Sequence, residues 1–385
     1  MSKTIIIRKS CPLCHKKRLH YQFSHEDNRV VQCVECFMIF GTKAHITHTP
    51  ASIDIHTLHN EVDFIGTLKE AAKKSEATGN HISISIPLIE NTTKSKVSEM
   101  ANYFTLRTLK TALWQSGLEI EHQELRPDGY TQFKVKRCSY KPNKLSIILP
   151  AYNEAGTIEG TISGILSKQH LTDYELIVVE SASTDGTAEI VNKFNNYPNV
   201  RVITQEKASG KGNAVRTGLK AAKGGIILIQ DADNEYDIND YDALIEPILS
   251  LREEFVLGAR HGGKNLLKLR NFNSEKNLSH LLNFGHLLFA GLINVLFGQQ
   301  LRDPFTMYKV FRRDTINGLE FKCNRFDFDI ELLIKIIQNG YTPVEIPVNY
   351  TSRGFKEGKK VRIFADPITW LRAIIRLKLA NRKKP

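Results

Sequence analysis

Strongly apolar segments recur between residues 145 and 230, and a short amphipathic segment follows each of the first three. Continuous apolar runs of this length are typical of strands buried on both faces of a parallel sheet. The predicted strands are LSIILP, ELIVVE, VRVIT and GGIILIQ, and the predicted helices are 157–167, TAEIVNKFNN and GNAVRTGLKAA. Regular alternation of strand and helix predicts a doubly wound α/β sheet.

The part of the chain before residue 139 has a weaker pattern. It predicts helices over 63–74 and 106–117, a strand over 81–87 and a strand pair over 118–136. The polar segment SYKPNK, 139–144, is predicted to be a linker. We therefore expect four parts: 1–48, 49–138, 144–350 and a basic amphipathic segment at 351–385.

The net charge of +12 favours an anionic partner, such as a phosphorylated substrate, an acidic membrane surface or nucleic acid. The start MSKTIIIRKSCPLC lacks the apolar core of a signal peptide, and no run of about 20 clean apolar residues predicts a membrane span. We expect a cytoplasmic protein, with peripheral attachment to the inner face of the membrane as the alternative.

Polar motifs follow all four predicted strands: PAYNE, ESASTDGT, KASGKGNAVRTG and DAD. Such residues are also common in plain turns. However, the carboxyl ends of parallel strands share one edge of the sheet, and ligands bind there. We expect these four motifs to form one site.

The fourth strand runs directly into Asp231 and Asp233. Two carboxylates held this close repel each other unless a cation lies beside them. Oxygen ligands suit Mg²⁺ or Mn²⁺, and Mg²⁺ usually takes substrate phosphate oxygens as well. The pair therefore predicts a divalent ion that binds a diphosphate.

From residue 144 to about 360 the chain resembles family-two glycosyltransferases of the GT-A fold, over more than half of its length. It is most similar to the branch with dolichyl-phosphate mannose synthase and bacterial polyprenyl-phosphate sugar transferases. The motifs that carry the resemblance are PAYNE, STDGT, GKGNAVRTG, DADNE, GAR, FDFDIELL and YTSRGFKEGKK.

The resemblance implies an inverting transfer of a sugar from a nucleotide-diphosphate sugar to a polyprenyl phosphate or saccharide acceptor in cell-surface glycan synthesis. It implies that Asp231 and Asp233 bind the metal, with Asp233 catalytic and Glu235 a third ligand. The residues implied to contact substrate are Pro150, Tyr152, Glu154, Glu180, Asp185, Lys211, Arg216, Asp231, Arg260, Arg353 and Lys359.

Two positions depart from the family pattern. Ser181 stands where many relatives have a second acidic residue, and TMYK places Met307 where a glycine is usual. A saccharide acceptor would need a general base, and Asp303 is the candidate. Asp303 is equally well explained as a turn residue before Pro304.

Two apolar segments each fit more than one interpretation. The segment from residue 366 has Ile368, Leu371, Ile375 and Leu379 on one helical stripe with basic residues elsewhere, which is typical of a membrane-surface helix or of a helix packed on the sheet. In 278–297 a polar stripe interrupts an apolar helix, which fits a lipid-chain groove, a dimer contact or a core.

The amino-terminal part contains two C-x-x-C pairs, with Cys11, Cys14, Cys33 and Cys36. Four thiolates at this spacing predict a structural Zn²⁺ site, and unmetallated thiols are the alternative. CPLCHKK and VVQCVECFMIF resemble the zinc ribbon that precedes some SAM-dependent methyltransferases. Residues 49–138 resemble the carboxyl-terminal half of such an enzyme without its glycine-rich SAM-binding turn, which implies an inactive α+β remnant.

Two other functions are compatible with parts of the sequence. The net charge and the ribbon would suit a nucleic-acid-binding protein, but interleaved aromatic and basic residues are absent from the sequence, so we expect no nucleic acid partner. A scaffold with an inactive transferase fold is the other, and the intact Asp231–Asp233 pair speaks against it. A homo-oligomer is compatible with either interpretation.

Overall fold

The computed structural model of the protein describes residues 5–7, 11, 19–25, 28–33, 39–41, 43–45, 54–55, 64–78, 82–86, 88, 102–127, 130–260, 276–352 and 365–381. The chain divides into two compact units. Unit 1 is Met1–Pro142 with Ser250–Arg252, and unit 2 is Asn143–Leu249 with Glu253–Pro385.

Unit 1 is an α+β unit with three small sheets, in the strand orders β1-β5, β2-β3-β4-β8 and β6-β7-β10-β9. Its elements are β1 (Ile5–Ile7), β2 (Leu19–His25), β3 (Asn28–Cys33), β4 (Ile39–Gly41), β5 (Lys43–His45), β6 (Asp54–Ile55), α1 (Phe64–Thr78), β7 (Ile82–Ile86), β8 (Asn102–Tyr103), α2 (Leu106–Gln115), β9 (Leu118–Leu125) and β10 (Thr131–Arg137). Buried apolar side chains of α1, α2, β7 and β10 form its core.

The elements predicted for 63–137 are confirmed within a few residues, although the pattern there is weaker than in the later part of the chain. Cys11 is buried in the core of unit 1. Cys14, Cys36 and the side chain of Cys33 lie outside the described residues, so the zinc ribbon stays a prediction.

Unit 2 contains a seven-stranded mixed sheet in the order β13-β12-β11-β14-β16-β15-β17. Its elements are β11 (Lys141–Ala151), which begins in unit 1, α3 (Ile158–Ser167), β12 (Tyr174–Glu180), α4 (Thr187–Asn192), β13 (Val200–Thr204), α5 (Lys211–Ala221), β14 (Gly224–Ile229), α6 (Tyr241–Leu249), β15 (Phe255–Ala259), α7 (Lys276–Phe297), β16 (Lys309–Arg312), α8 (Asp327–Gln338), β17 (Val344–Pro347) and α9 (Ala365–Asn381). The α/β prediction is confirmed.

The predicted linker is wrong in its second half. β11 begins at Lys141, so residues 141–144 are extended strand. The sequence did not reveal this extension of the strand, because residues 141–144 carry no apolar run. Burial begins only at Leu145, the first residue paired with β12. The helix predicted over TAEIVNKFNN is also shorter, because α4 ends at Asn192.

Strand register brings the site residues to one edge of the sheet. Ala151 lies opposite Glu180, and Glu180 lies opposite Thr204, so the ends of β11, β12 and β13 are level. β16 runs antiparallel to β14, with Lys309 opposite Ile229. The segment just before β16 therefore lies at the same edge of the sheet as the ends of β11 to β14, because β16 begins where β14 ends.

The last helix packs on other helices. Ile374 and Leu377 of α9 share an apolar cluster with Ile293 of α7 and with Ile330 and Ile334 of α8. None of the helices in the described ranges is both long enough and apolar enough to cross a membrane.

Candidate active site

The loop after β11 and the loop after β12 are joined by side-chain hydrogen bonds. The backbone N–H of Asn153 donates to Ser183 Oγ (3.0 Å), and that of Thr184 donates to Asn153 Oδ1 (2.8 Å). The N–H of Ala155 donates to Asp185 Oδ2 (3.1 Å). PAYNE and STDGT thus form one rigid wall, which is why both motifs are rich in short polar residues.

Asp185 is held as an anion in this wall. Burial raises the pKa of its carboxyl. Hydrogen bonds from the Thr187 hydroxyl and from the N–H groups of Ala155 and Thr187 together outweigh this effect, so the pKa is below its usual value. In the part of the chain that the structure describes, Asp185 therefore holds the two loops together. The predicted contact with substrate stays a prediction.

Glu180 turns back into its own loop. It is buried, and its carboxylate accepts the N–H groups of Ala182 (3.1 Å) and Ser183 (2.7 Å). Its predicted contact with substrate stays a prediction. Tyr152, in contrast, is exposed at this edge.

Backbone strain is concentrated in these loops. Asn153, Ala182 and Asn234 all have φ between 51° and 56°, which side-chain-bearing residues seldom adopt. One lies in each of the loops that follow β11, β12 and β14. Residues kept in such conformations cluster at ligand sites, because the surrounding structure must hold them there.

The loop after β14 is fixed from the side of α3. The Thr157 hydroxyl donates to the carbonyl of Ala232 (2.7 Å), and the Thr161 hydroxyl donates to Asn234 Oδ1 (2.5 Å). Asp233 Oδ1 accepts the N–H of Glu235 (3.2 Å). The aspartates are therefore held by a loop whose backbone cannot move freely.

Asp231 is paired with a buried cation. Lys211 Nζ donates to Asp231 Oδ1, and the two side chains are 14% and 15% exposed. Burial lowers the pKa of Lys211, but the charges of Asp231, Asp329 and Asp233 together outweigh burial, and the pKa is raised. Lys211 is thus charged, and it lies where it can compensate negative charge next to the aspartates.

Two glycines set the position of Lys211. A Cβ on Gly210 would lie 2.5 Å from the carbonyl oxygen of Asn324, and one on Gly212 would lie 2.4 Å from Cβ of Phe328. The start of α5 can approach the 323–328 segment only because both residues lack side chains. Arg216 Nη1 donates to the carbonyl of Phe321 (2.8 Å) and strengthens the same contact.

Two buried charges beside Lys211 were missed by the sequence analysis. Lys309 is fully buried, and burial lowers its pKa to about 8. Asp329 is 5% exposed with a buried Oδ1 that has no hydrogen-bond partner, and burial raises its pKa. The attractive charges of Lys211 and Lys309 act on Asp329. An aspartate within the apolar run FDFDIELL was the available signal.

Asp303, the candidate general base, is bonded to a cation in the interior, and its role as a base stays a prediction. It is completely buried, and its two oxygens accept Arg260 Nε (2.8 Å) and Nη2 (2.7 Å). Burial raises the pKa of Asp303, but the charge and hydrogen bonds of Arg260, together with His286, outweigh burial, and the pKa is well below its ordinary value. The turn interpretation is incomplete, because the carboxylate holds Arg260 in position.

Glu235 is engaged by the segment after β17. Its Oε2 accepts the Tyr350 hydroxyl (2.6 Å), and its carbonyl accepts the N–H of Thr351 (2.9 Å). The Arg260 guanidinium lies 5.2 Å from the centre of the Tyr350 ring. Arg353 and Lys359 lie outside the described residues, so their predicted contacts with substrate stay predictions. The role of Glu235 as a metal ligand also stays a prediction.

The aspartate loop has the chemistry that a hard divalent ion requires. Asp231 and Asp233 supply carboxylate oxygens on a fixed backbone, and Asp231 already binds a cation, the ammonium of Lys211. No three Asp, Glu, His or Cys side chains in the described residues converge into a metal cage. Mg²⁺ or Mn²⁺ would therefore need phosphate oxygens and water to complete its shell, as Mg²⁺ commonly does.

Part of the chain around this site matches a known protein family. Residues 146–318 match the family model for glycosyl transferase family 2. The match covers less than half of the 385 residues.

Several relatives are named for transfer to dolichyl phosphate. A dolichyl-phosphate beta-glucosyltransferase of Dictyostelium discoideum is 27% identical over 247 residues, 61% of this chain and 73% of that protein. Dolichyl-phosphate beta-glucosyltransferase ALG5C of Trichomonas vaginalis is 30% identical over 54% of this chain, and the dolichol-phosphate mannosyltransferase of Pyrococcus furiosus is 28% identical over 61%. The chain spans 64% and 63% of the latter two proteins.

Among solved structures, the chain is similar to glucosyl-3-phosphoglycerate synthase from Mycobacterium tuberculosis, crystallised with Mn²⁺, UDP and phosphoglyceric acid. The TM-score is 0.45 at 22% identity, over 63% of this chain and 80% of that one.

Proposed function

We propose that the protein is an inverting, metal-dependent glycosyltransferase with a GT-A fold, and that it transfers a sugar from a nucleoside-diphosphate sugar to a polyprenyl phosphate. The observation that carries this proposal is the Lys211–Asp231 pair at the tip of β14, with Asp233 two residues on. It combines carboxylates for a cation with an ammonium group for the leaving diphosphate.

Asp231 and Asp233 would hold Mg²⁺ or Mn²⁺, which when bound acts as a Lewis acid on the diphosphate. Lys211 adds a fixed positive charge at the same place. Such preorganised charges stabilise the negative charge that builds up on a leaving group. The wall formed by PAYNE and STDGT positions the nucleotide, with Tyr152 exposed beside it.

The acceptor class follows from the proton balance. In the transfer, an acceptor oxygen forms a bond to the anomeric carbon while the bond from that carbon to the nucleoside diphosphate breaks. A lipid phosphate is already ionised, so no base has to remove a proton, whereas a sugar hydroxyl needs one. The burial of Asp303 and its bonds to Arg260 speak against a base at this position and so favour a lipid phosphate. The names of the relatives support the same acceptor class.

The test is a transfer assay with the purified protein. UDP-glucose and GDP-mannose, each radiolabelled in the sugar, are offered with dolichyl phosphate or with a free disaccharide, in Mn²⁺ or in EDTA. We expect Mn²⁺-dependent label in the lipid fraction with one donor. Label in the disaccharide alone would contradict the acceptor class, and transfer at full rate in EDTA would contradict metal dependence.

A further inference from the structure

Helix α7 is oriented with its polar side inward. Asn283 and His286 are buried, whereas Phe284, Leu288 and Val295 are 58%, 58% and 83% exposed. The ordinary orientation of a surface helix is the reverse, with its apolar stripe against the core. Between residues 277 and 300 the sequence contains no Asp, Glu, Lys or Arg, so this outward stripe has no charged side chains to solvate it.

The inward polar groups of α7 explain why this orientation is kept. His286 Nε2 hydrogen-bonds with the carbonyl of Arg302 (3.0 Å), and Asn294 exchanges two hydrogen bonds with the backbone of Leu301 (2.8 and 2.9 Å). These bonds fix the chain just before Asp303. Ile293 of α7 is buried as well, in the apolar cluster with α8 and α9, so the inward side of α7 carries both polar and apolar groups. Phe284, Leu288 and Val295 are left facing outward.

Helix α9 presents a second outward stripe. Ile368, Leu371, Ile375 and Leu379 are each between 41% and 54% exposed, whereas Ala373, Ile374 and Leu377 are buried. Seven of the twelve exposed large apolar side chains in the described part of the chain lie on α7 and α9. Because Lys378 Nζ donates to the carbonyl of Leu296, the two helices meet at their carboxyl-terminal ends.

The charge around these stripes is positive. Arg372 and Arg376 are exposed on α9 between the apolar residues, and Arg382, Lys383 and Lys384 follow in the sequence. The sequence has no acidic residue after Asp366. An exposed apolar face with adjoining basic residues is typical of helices that lie in the interface of an anionic membrane.

We propose that the outward stripes of α7 and α9, together the α7–α9 face, dock on the surface of an anionic lipid bilayer. The proposal rests on the proposed function for its purpose, because a polyprenyl phosphate is held in a bilayer. A second copy of this chain fits the α7–α9 face less well than an anionic bilayer does. A two-fold interface would bring the same basic residues of both copies together without acidic partners.

Vesicle flotation tests the docking without any catalysis. Phosphatidylcholine vesicles with and without phosphatidylserine are mixed with wild type, Leu288→Gln/Val295→Gln, Ile375→Gln/Leu379→Gln and Arg372→Gln/Arg376→Gln. Leu171→Gln/Tyr197→Gln is the matched control, since these two side chains are 51% and 49% exposed outside the face. Melting temperatures establish that every variant is folded.

We expect each apolar double variant to bind vesicles roughly tenfold more weakly or worse, because two apolar side chains leave the interface. The arginine variant should lose roughly fivefold per arginine on anionic vesicles and nothing on neutral ones. The control should bind like wild type. Unchanged binding by Leu288→Gln/Val295→Gln, or no binding by wild type, would overturn the proposal.

Two further measurements separate the outcomes. A dimer in solution that Leu288→Gln/Val295→Gln converts to monomer, with no vesicle binding, would assign the face to a second copy. Transfer to a short-chain, water-soluble polyprenyl phosphate should be unchanged in the docking variants. If wild type binds vesicles but transfers to neither acceptor, the proposed function fails while the docking surface stands.

Discussion

Asp303 binds Arg260 through both carboxylate oxygens, and the two side chains are 0% and 5% exposed to solvent. The Asp303 backbone N–H donates to Glu345 (2.6 Å), so the aspartate itself is anchored by β17. A carboxylate held in this way acts by positioning a guanidinium. This explains how a residue with the sequence context of a catalytic base can have another role.

We predict that Asp303→Asn lowers the free energy of unfolding by about 3 kcal/mol, because it leaves a buried charge without its partner. Urea denaturation measures this. The double variant Asp303→Leu/Arg260→Met should lose less than the sum of the losses in Asp303→Leu and Arg260→Met. Additive losses would show that the pair does not act as a unit.

The same pair gives a pH prediction. The pKa of Asp303 is lower in the folded protein than its ordinary value of 3.8, so the pair stabilises the fold above that value. The stabilisation is lost only as the pH falls through the lower, folded pKa. The pH dependence of transfer near neutrality should therefore not change in Asp303→Asn if it folds. Loss of the rate's rise with pH in this variant alone would restore Asp303 as a base.

Gly212→Ala should destabilise unit 2 by roughly 1–3 kcal/mol, because the new methyl group would collide with Phe328 and with the carbonyl of Cys323. It should also raise the KM for the nucleotide sugar, since Lys211 moves with α5. Gly156→Ala is the control, because a Cβ there meets nothing within 4 Å. Equal stabilities of the two variants would show that the start of α5 can accommodate a methyl group at residue 212.

Lys309 should make stability depend on pH in the alkaline range. Its folded pKa is about 8 against an ordinary 10.5, so the unfolded chain binds more protons and stability rises with pH between these values. Urea denaturation should show wild type gaining up to about 3 kcal/mol relative to Lys309→Met over this range. The exposed Lys193→Met variant should follow wild type. A constant difference between wild type and Lys309→Met would refute the lowered pKa.

For the amino-terminal part we predict a bound Zn²⁺ held by the four cysteines at 11, 14, 33 and 36. Cys36→Ser should remove most of the zinc that elemental analysis detects in the purified protein, since structural sites need all four ligands. Cys138→Ser, outside the two pairs, should keep it. Equal zinc content in both variants would leave unmetallated thiols as the explanation.

The sequence was sufficient for the strand-helix alternation of 145–230, because buried parallel strands are continuous apolar runs. It also placed the polar motifs at one edge of the sheet. It could not show that Asp303 is paired with Arg260, since 43 residues separate them and only the antiparallel return of β16 brings them together. Lys309 and Asp329 were missed for the same reason, because buried charges are recognised by their partners in space.

The inward orientation of α7 is a similar case. Its polar stripe was visible in the sequence, but the partners of that stripe, residues 301 and 302, lie beyond the end of the helix. Local periodicity alone assigns the apolar side of a helix to the core. Here tertiary hydrogen bonds decide the orientation.

The central claim is that Asp231 and Asp233 bind the cation that receives the negative charge of the leaving nucleoside diphosphate. The most direct measurement is the Mn²⁺ dependence of turnover for Asp233→Asn, with Asp173→Asn as a control because that aspartate is 61% exposed on the surface. We predict a loss of roughly 100-fold or more in kcat for Asp233→Asn at saturating Mn²⁺ and none for the control. Wild-type turnover and Mn²⁺ dependence in Asp233→Asn would contradict the assignment.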